Sequence, residues 1–287
     1  MINSKYNLKI IVISDLHIGN IKSDEEALDT IYNYCCKNNI HLIINCGDLL
    51  DGTFSNTECF IPPEDQVEYL IKNYPFDKDI FTLYTPGDHD NSLYSTNNIF
   101  ITCALKKRRH DICAISQYIK TNQNNIIRIN NNKIIVSHKA PMYEENNLKD
   151  IKLHLIGHTH ASKTLLEINQ SKNSTPRIMI PPLSRKSSQD QINIPRAIEL
   201  NLCLDDKYCI KYISKKDLLI LNNKVLNTGE TIINYSNYKL STSSKENEKN
   251  YTNDNKHSIN QIFSDADKKE VSELIDEQKQ QPKKLIK

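Results

Sequence analysis

The sequence predicts an α/β protein built on two β-sheets. In the first third of the chain, buried β-branched strands alternate with amphipathic helices, which is typical of βαβ units and of a parallel sheet. From residue 133 onward, strand patterns follow one another without helical crossovers, which predicts a second, largely antiparallel sheet. At 287 residues, the chain is long enough for one large domain with an appendage.

The composition bears on three classes of protein: nucleic-acid-binding, membrane-spanning and secreted proteins. The formal net charge is +2 and the pI is about 8.0, so bulk charge does not indicate a nucleic-acid-binding protein, although it does not exclude one. No apolar stretch is long enough to span a membrane, and no signal peptide is visible. The eight cysteines form no CxxC pair, which favours reduced thiols and a cytoplasmic protein.

The first βαβ unit is the clearest local pattern. Residues 10–13 form an unbroken β-branched run, which predicts a buried central strand. Ser23, with Glu26 three residues later, predicts the N-cap of a helix that runs to about Asn38. Residues 41–46 predict the next strand, and the intervening helix makes the two strands parallel.

A second helix and a third strand follow. Pro63 suits the first position of a helix, which should end before Pro75, and residues 80–85 predict a strand. Residues 99–107 are predicted to be helical and lead into the basic cluster 106–110. We interpret this cluster as a solvated helix end, with a phosphate-steering patch beside the site as the alternative.

The later strands are predicted from short apolar runs. They are residues 133–137, 152–156, 164–168, 177–180, 197–202 and 209–213. Residues 215–235 fit neither a strand nor a helix pattern clearly. We assign residues 1–235 to the folded domain and residues 236–287 to a polar, largely disordered tail with a short helix near 264–277.

Polar side chains follow the predicted strands at the point where each strand ends. Asp15 and His17 come directly after the first strand, and alternate residues of an extended chain point the same way. Asp48 follows the second strand, and parallel order brings both strand ends to the edge where open α/β sheets bind ligands. The full set of such residues is Asp15, His17, Asp48, Asp88, His89, His138, His158 and His160.

Carboxylates and imidazoles together suggest a metal site. Any one of these histidines alone would be an ordinary loop or core side chain, but five of the nine histidines lie at strand ends. Mixed oxygen and nitrogen ligands suit divalent Mn, Fe, Zn or Ni. Asp48 lies in the middle of the set and is placed to bridge two ions, which is a known device for displacement at phosphorus.

The order of these motifs resembles that of the calcineurin-like metallophosphoesterases, over about residues 8–202. The motifs are, in chain order, Asp15-Leu16-His17, Gly47-Asp48-Leu49-Leu50-Asp51-Gly52, Gly87-Asp88-His89-Asp90, His138 and Gly157-His158-Thr159-His160. The resemblance implies a four-layer α/β/β/α sandwich of two packed mixed β-sheets with flanking helices. It also implies a phosphate-ester hydrolase with two divalent metal ions, for which Mn²⁺ is the first expectation and Fe, Zn or Ni the alternatives.

The resemblance gives each motif residue a role. The two metal sites share one ligand and comprise Asp15, His17, Asp48 and His160 for the first ion, and Asp48, Asp88, His138 and His158 for the second. His89 is expected to donate a proton to the leaving oxygen, oriented by Asp90 or Asp51. Asn is usual in the family where Asp88 stands, so this chain adds a negative charge to the site.

Two positions separate the chain from one branch of the family. The protein Ser/Thr phosphatases carry Arg after the second motif and Glu in the third, whereas this chain has Gly52 and Asp90 there. The pattern is closer to the bacterial, archaeal and phage phosphodiesterases and to the repair exonucleases. We therefore expect a phosphodiesterase that acts through a metal-bound hydroxide.

Two alternatives to this function stay open. The nearest is a nuclease acting on DNA or RNA, and the other, from a different class, is a non-catalytic scaffold that retains the fold. The expected partner is a phosphate-ester substrate, with nucleic acid as one substrate class and no role for a membrane. The sequence assigns neither the substrate nor the oligomeric state.

Overall fold

The structure, a computed structural model, describes residues 6–54, 58–115, 125–129, 132–139, 151–160, 166–167, 175–185, 193–235 and 240–242. Within these ranges, two mixed β-sheets pack together and four helices flank them, so the predicted α/β fold is confirmed. The described helices all contribute to the core on one face of the larger sheet, so the described residues form three layers in the order helices, sheet, sheet.

The larger sheet has eight described strands in the order β13-β12-β11-β10-β1-β2-β3-β4. Its parallel half consists of β1 Tyr6–Ile13, β2 Leu42–Asn45, β3 Phe81–Tyr84 and β4 Ile112–Ala114. Its antiparallel half, which begins beside β1, consists of β10 Arg196–Leu204, β11 Ile210–Leu221, β12 Lys224–Asn234 and β13 Leu240–Thr242.

The described helices are short and follow the strands of the parallel half. They are α1 Glu25–Asn38, α2 Pro63–Asn73, α3 Asp88–Asn97 and α4 Ile101–Arg108. The N-cap of α1 is Asp24 and not the predicted Ser23, because the Asp24 carboxylate accepts the amide of Ala27 at 3.0 Å. Helix α2 begins at Pro63 and ends before Pro75, as predicted.

The smaller sheet corrects one prediction. Its described strands are β5 Asn125–Ile129, β6 Asn132–Ser137, β7 Ile151–Ile156, β9 Arg177–Met179 and β8 Leu166–Glu167, in that spatial order. Strands β6, β7 and β9 run parallel, so the sheet is mixed and not largely antiparallel. The predicted strands at 197–202 and 209–213 belong instead to the larger sheet, where β10 pairs antiparallel with β1.

Strand β1 is buried on both faces, which explains its continuous apolar run. Ile11 and Ile13 point to the core shared with the helices, whereas Ile10 and Val12 point to the core between the two sheets. All four side chains are fully buried. Burying one such side chain contributes about 1.5–3 kcal/mol, so β1 anchors both cores and fixes the position of the loop that follows it.

The remaining predictions have mixed outcomes. Residues 215–235, which the sequence left unassigned, contain the end of β11 and all of β12. Most of the predicted tail, including the proposed helix near 264–277, lies outside the described residues, and the domain boundary at 235 stays a prediction.

All eight cysteines are free. In the described parts of the chain, no helix combines the length and apolar character that crossing a membrane requires.

The basic cluster at residues 106–110 supports the fold. Arg109 is buried, makes a two-pronged ion pair with Asp111 at 2.7 and 2.9 Å, and donates to backbone carbonyls just after α2. Arg108 pairs with Glu68 on α2 at the surface. These contacts tie the end of α4 to α2 and give no support to a phosphate-steering role for either arginine.

This arrangement predicts a large difference between neighbouring arginines. Replacing Arg109 by Met should lower the free energy of unfolding by about 3 kcal/mol, because it leaves the Asp111 carboxylate and several buried carbonyls without their donor. Arg108→Met is the matched control, since both partners of its ion pair are about half exposed, at 46% and 50%. Urea unfolding of the two variants should rank them in that order, and equal losses would contradict the structural role of Arg109.

Candidate metal centre

The loops after β1 and β2 hold each other by backbone hydrogen bonds. The amide of Asp15 donates to the carbonyl of Gly47 at 2.9 Å, and the amide of His17 donates to the carbonyl of Asp48 at 3.0 Å. Strand pairing therefore continues beyond the sheet, in the register that β1 and β2 set. As a result, the carboxylates that leave the two strands lie side by side.

Five of the seven candidate ligands share an uncommon backbone conformation. Their φ angles lie in the left-handed region, between 46° and 69°, at Asp15, His17, Asp48, His158 and His160. Non-glycine residues adopt this conformation only when their surroundings enforce it, and such residues cluster at functional sites. The turns direct five polar side chains into one space.

The first group of ligands combines the β1 loop with the β2 loop and the loop after β7. One ligand atom from each of Asp15, His17, Asp48 and His160 lies within 4.8 Å of the others. His160 Nε2 is 3.1 Å from Asp15 Oδ1 and 3.1 Å from His17 Nε2. This separation is short enough for a single ion to contact all four groups.

The second group lies beside the first and shares Asp48 with it. Its members are Asp48, Asp88, His138 and His158, again with ligand atoms within 4.8 Å of one another. His138 Nε2 lies 3.1 Å from Asp48 Oδ2 and 3.0 Å from Asp88 Oδ1. His158 Nδ1 lies 3.2 Å from His138 Nε2. The sequence-derived sets of metal ligands therefore converge in space, in the same two groups.

The polar atoms of these groups fit a pair of divalent cations. Three buried carboxylate oxygens, Asp15 Oδ1, Asp48 Oδ2 and Asp88 Oδ1, face imidazole nitrogens at 3.0–3.1 Å and have no well-aligned hydrogen-bond donor. Burying a carboxylate oxygen without compensation is costly, and a metal ion provides the compensation. Carboxylate oxygens with imidazole nitrogens are the donors that Mn, Fe, Zn and Ni prefer.

Protonation of His138 answers the same demand for positive charge. Burial alone would raise the pKa of Asp15 and of Asp88, but the neighbouring imidazoles lower the pKa of both carboxylates. Burial disfavours charge on His138, yet Asp48 and Asp88 raise the pKa of its imidazole well above the usual value. Protons and metal ions therefore compete for one set of donor atoms.

His89 lies next to the first group and is held by Asp51. Its Nδ1 donates to the backbone carbonyl of Asp51 at 2.5 Å and lies 3.6 Å from the Asp51 carboxylate. That carboxylate accepts two hydrogen bonds from Asn20, at 3.1 Å each, and lies 3.5 Å from His17 Nδ1. Asp51 thus orients His89 chiefly through its carbonyl.

Of the two residues expected to orient His89, Asp90 directs its carboxylate to backbone amides. Its buried carboxylate accepts the amides of Leu49, Leu50 and Gly87 at 3.2, 2.8 and 2.8 Å. Burial and the charge of Asp48 raise the pKa of Asp90 to about 6, against the lowering effect of these amides. The Asp90 side chain therefore fixes the backbone that follows Asp48 and the backbone that precedes Asp88, and both of these residues are candidate ligands.

Two glycines allow the loops to approach closely. A Cβ on Gly87 would lie 2.0 Å from Asp48 Oδ1, and a Cβ on Gly47 would lie 2.3 Å from His138 Nδ1. Gly47 also has a φ of 108°, which favours glycine. The absence of a side chain at these two positions therefore permits the close approach of the loops.

Sequence reasoning missed two side chains beside the ligands. Lys139 Nζ lies 3.1 Å from Asp88 Oδ2. The other carboxylate oxygen of Asp88, Oδ1, faces the imidazole of His138. The ring of Phe54, which is 61% exposed, meets the ring of His89 edge-on at a centroid distance of 4.9 Å. Adjacency to His138 was the available signal for Lys139, whereas no sequence pattern singled out Phe54.

Solved structures with a similar chain course have low sequence identity. YfcE, a phosphoesterase from E. coli, is 14% identical with a TM-score of 0.40, and the match covers 71% of this chain and 96% of that chain. Vps29 from Chaetomium thermophilum is 10% identical with a TM-score of 0.46, covering 79% and 98%. Nuclease MPE from Pseudomonas putida is 13% identical with a TM-score of 0.36, covering 76% and 86%.

A family profile matches the chain over the region that contains the candidate ligands. A search of curated protein sequences finds no match. The profile of the calcineurin-like phosphoesterases matches residues 8–162, a range that begins in β1 and includes every candidate metal ligand. Since this match spans more than half of the 287 residues, the chain belongs to the calcineurin-like phosphoesterase family.

Proposed function

We propose that this chain is a metal-dependent phosphodiesterase with a dinuclear centre. One observation carries the proposal: two groups of four ligands share Asp48, and each group contains a buried carboxylate oxygen that lacks a well-aligned hydrogen-bond donor. Membership of the family supports hydrolysis of a phosphate ester and the use of divalent metal ions. Mn²⁺ is the ion we propose, among the metals that this donor set suits.

The metal ions supply the part of the chemistry that no side chain here provides. Two divalent ions held by these ligands would act as Lewis acids on the phosphoryl group and activate the attacking water. The residues of the chain contribute position and charge. Asp48 connects the two ligand groups, and the Asp90 carboxylate holds the backbone amides that follow Asp48.

His89 is the proposed proton donor to the leaving oxygen. Its Nδ1 is engaged by the Asp51 carbonyl, which fixes the ring and leaves Nε2 as the nitrogen available to a substrate. An alkoxide leaving group is poor without a proton, so a diester of two alcohols depends on such a donor. His89 also belongs to a cluster with His17, so it lies next to the first ligand group.

The first experiment tests the shared ligand. Asp48→Ala should abolish both the loading of two equivalents of Mn²⁺ and the hydrolysis of bis(p-nitrophenyl) phosphate, because it removes a donor from each group. Metal content and calorimetric titration measure the first effect, and absorbance measures the second. Asp206→Ala, which alters an exposed acidic residue between β10 and β11, should change neither. Full activity in Asp48→Ala, or in metal-stripped protein, would refute the proposal.

The second experiment tests the role of His89. His89→Asn should bind Mn²⁺ as the wild type does but lose about 10²- to 10⁴-fold in hydrolysis of an alkyl diester. The loss should be much smaller for a nitrophenyl ester, whose leaving group needs no proton. His110→Asn, a change at an exposed histidine after α4, serves as the control. Equal losses for both leaving groups would mean that His89 only positions the phosphate.

A nuclease is the second candidate, and Phe54 favours it. An exposed aromatic ring beside the proposed proton donor offers a face on which a nucleobase can stack. Such stacking contributes about 1–3 kcal/mol per base and tolerates any base. The modest net charge of +2 is compatible with single-stranded substrates that bind through stacking as well as charge.

Two matched substrates separate the candidates. Phe54→Leu keeps the apolar bulk but removes the aromatic face, and it should lower kcat/KM on single-stranded DNA about tenfold. Hydrolysis of an abasic oligonucleotide of equal length should not change. Phe54→Tyr should retain activity on both, and Phe60→Leu, at a site 63% exposed, controls for loss of a surface ring. If the wild type does not cleave DNA or RNA, or if both substrates suffer equally, the nuclease candidate fails.

A further inference from the structure

Among the lysines and arginines of the described residues, Lys139 is the one that the structure places in contact with a candidate ligand's carboxylate. Its Nζ lies 3.1 Å from Asp88 Oδ2. The lysine side chain is 46% exposed and that of Asp88 is 27% exposed, so the pair lies at the mouth of the site and not in the core. Lys139 directly follows His138, a member of the same ligand group.

The two oxygens of Asp88 have different surroundings. Oδ1 points to the ligand group, where His138 Nε2 is 3.0 Å and His158 Nδ1 is 3.5 Å away. Oδ2 points to Lys139. Asp88 begins helix α3, and its carboxylate therefore has one oxygen on the side of the ligands and the other on the side of Lys139.

The charges of the site show why such a pair matters. Asp15, Asp48 and Asp88 bring three negative charges into one small region, and the imidazole ligands are neutral when they bind metal. A phosphate diester is also an anion, so each uncompensated carboxylate opposes its binding. The ammonium group of Lys139 offsets the negative charge of Asp88. It does so at Oδ2 and leaves Oδ1 free to face the other ligands.

We infer that Lys139 is a charge-compensating residue: it neutralises Asp88 and keeps the site receptive to an anionic phosphoryl group. This inference rests on the proposed metal-dependent phosphoesterase function. It assigns Lys139 no contact with the reacting atoms. Its effect is carried by charge, which distinguishes it from a lysine that only stabilises a loop.

Charge compensation predicts opposite effects on cations and anions. Lys139→Met should tighten Mn²⁺ binding, because a repelling cation is removed, and should raise the inhibition constant of inorganic phosphate, each by about two- to fivefold. Asp88→Asn should do the reverse, weakening Mn²⁺ binding and tightening phosphate binding. The double variant restores the net charge and should return both constants to within about twofold of the wild type.

The experiment is a double-mutant cycle on the full chain. Calorimetry gives the Mn²⁺ affinity of each variant, and competitive inhibition of the Mn²⁺-loaded protein gives the phosphate affinity. Lys139→Arg should behave as the wild type. Lys211→Met is the control, since Lys211 lies 3.1 Å from Asp205 with a similar exposure of 44% but outside the ligand groups.

Each outcome decides the inference. Opposite shifts in the single variants and recovery in the double variant support charge compensation. Parallel losses of both affinities in Lys139→Met, no change at all, or no recovery in the double variant would overturn it. A wild type that binds Mn²⁺ but hydrolyses no ester contradicts the proposed function alone, because the Mn²⁺ affinities still test the ion pair. A wild type that binds no Mn²⁺ contradicts both.

Discussion

The crowding of buried carboxylates at the strand ends is the constraint on which the rest of the site depends. Asp15 and Asp48 are essentially inaccessible to solvent, and each has an oxygen without a well-aligned hydrogen-bond donor. Such an arrangement is stable only with positive charge close by, which protonated imidazoles or metal ions can supply. The raised pKa of His138 and the lowered pKa of Asp15 are two expressions of this one demand.

The backbone around the carboxylates is held by a fourth acidic residue. Asp90 accepts amides that precede α3 and follow Asp48, so its side chain joins the loop after β2 to the loop after β3. Three amide donors compensate part of the cost of burying this carboxylate, and the nearby Asp48 charge adds to that cost. Asp88 is thus a candidate metal ligand, whereas Asp90, two residues later, binds the chain's own backbone.

Local sequence was sufficient to predict the strands that lead into the site. The β-branched runs ending before Asp15 and Asp48 have no helical period, and the intervening helix dictates parallel order. Pairing partners were not predictable in the same way. Strand β10 pairs with β1 from Tyr6–Leu204 to Val12–Ile198, across nearly two hundred residues, and nothing local in either segment specifies the other.

Some side-chain contacts of the site follow from the order of the strands, whereas others depend on how distant segments pack. Chain order at strand ends was enough to bring the ligand residues to one edge of the sheet, because it depends only on the direction of the strands, whereas their division into two groups came from the family resemblance. The hydrogen bonds of Asp90 were not predictable in this way, because the turn into α3 brings its carboxylate to backbone amides. The pairing of Lys139 with Asp88 likewise depends on the packing of β6 against the loop after β3, which the sequence does not encode locally.

The left-handed backbone at five candidate ligands connects stability with function. Each such residue costs about 1–2 kcal/mol relative to a relaxed conformation, and the inter-loop hydrogen bonds at Gly47 and Asp48 offset part of that cost. These bonds hold the turns whether or not a metal is bound, since they join backbone to backbone. Metal ligation would stabilise the folded state only, because the unfolded chain has no assembled ligand group. The two buried cores on either side of β1 therefore do more than hold the sheets together: they maintain a strained set of turns in which donor atoms are already in place before an ion arrives.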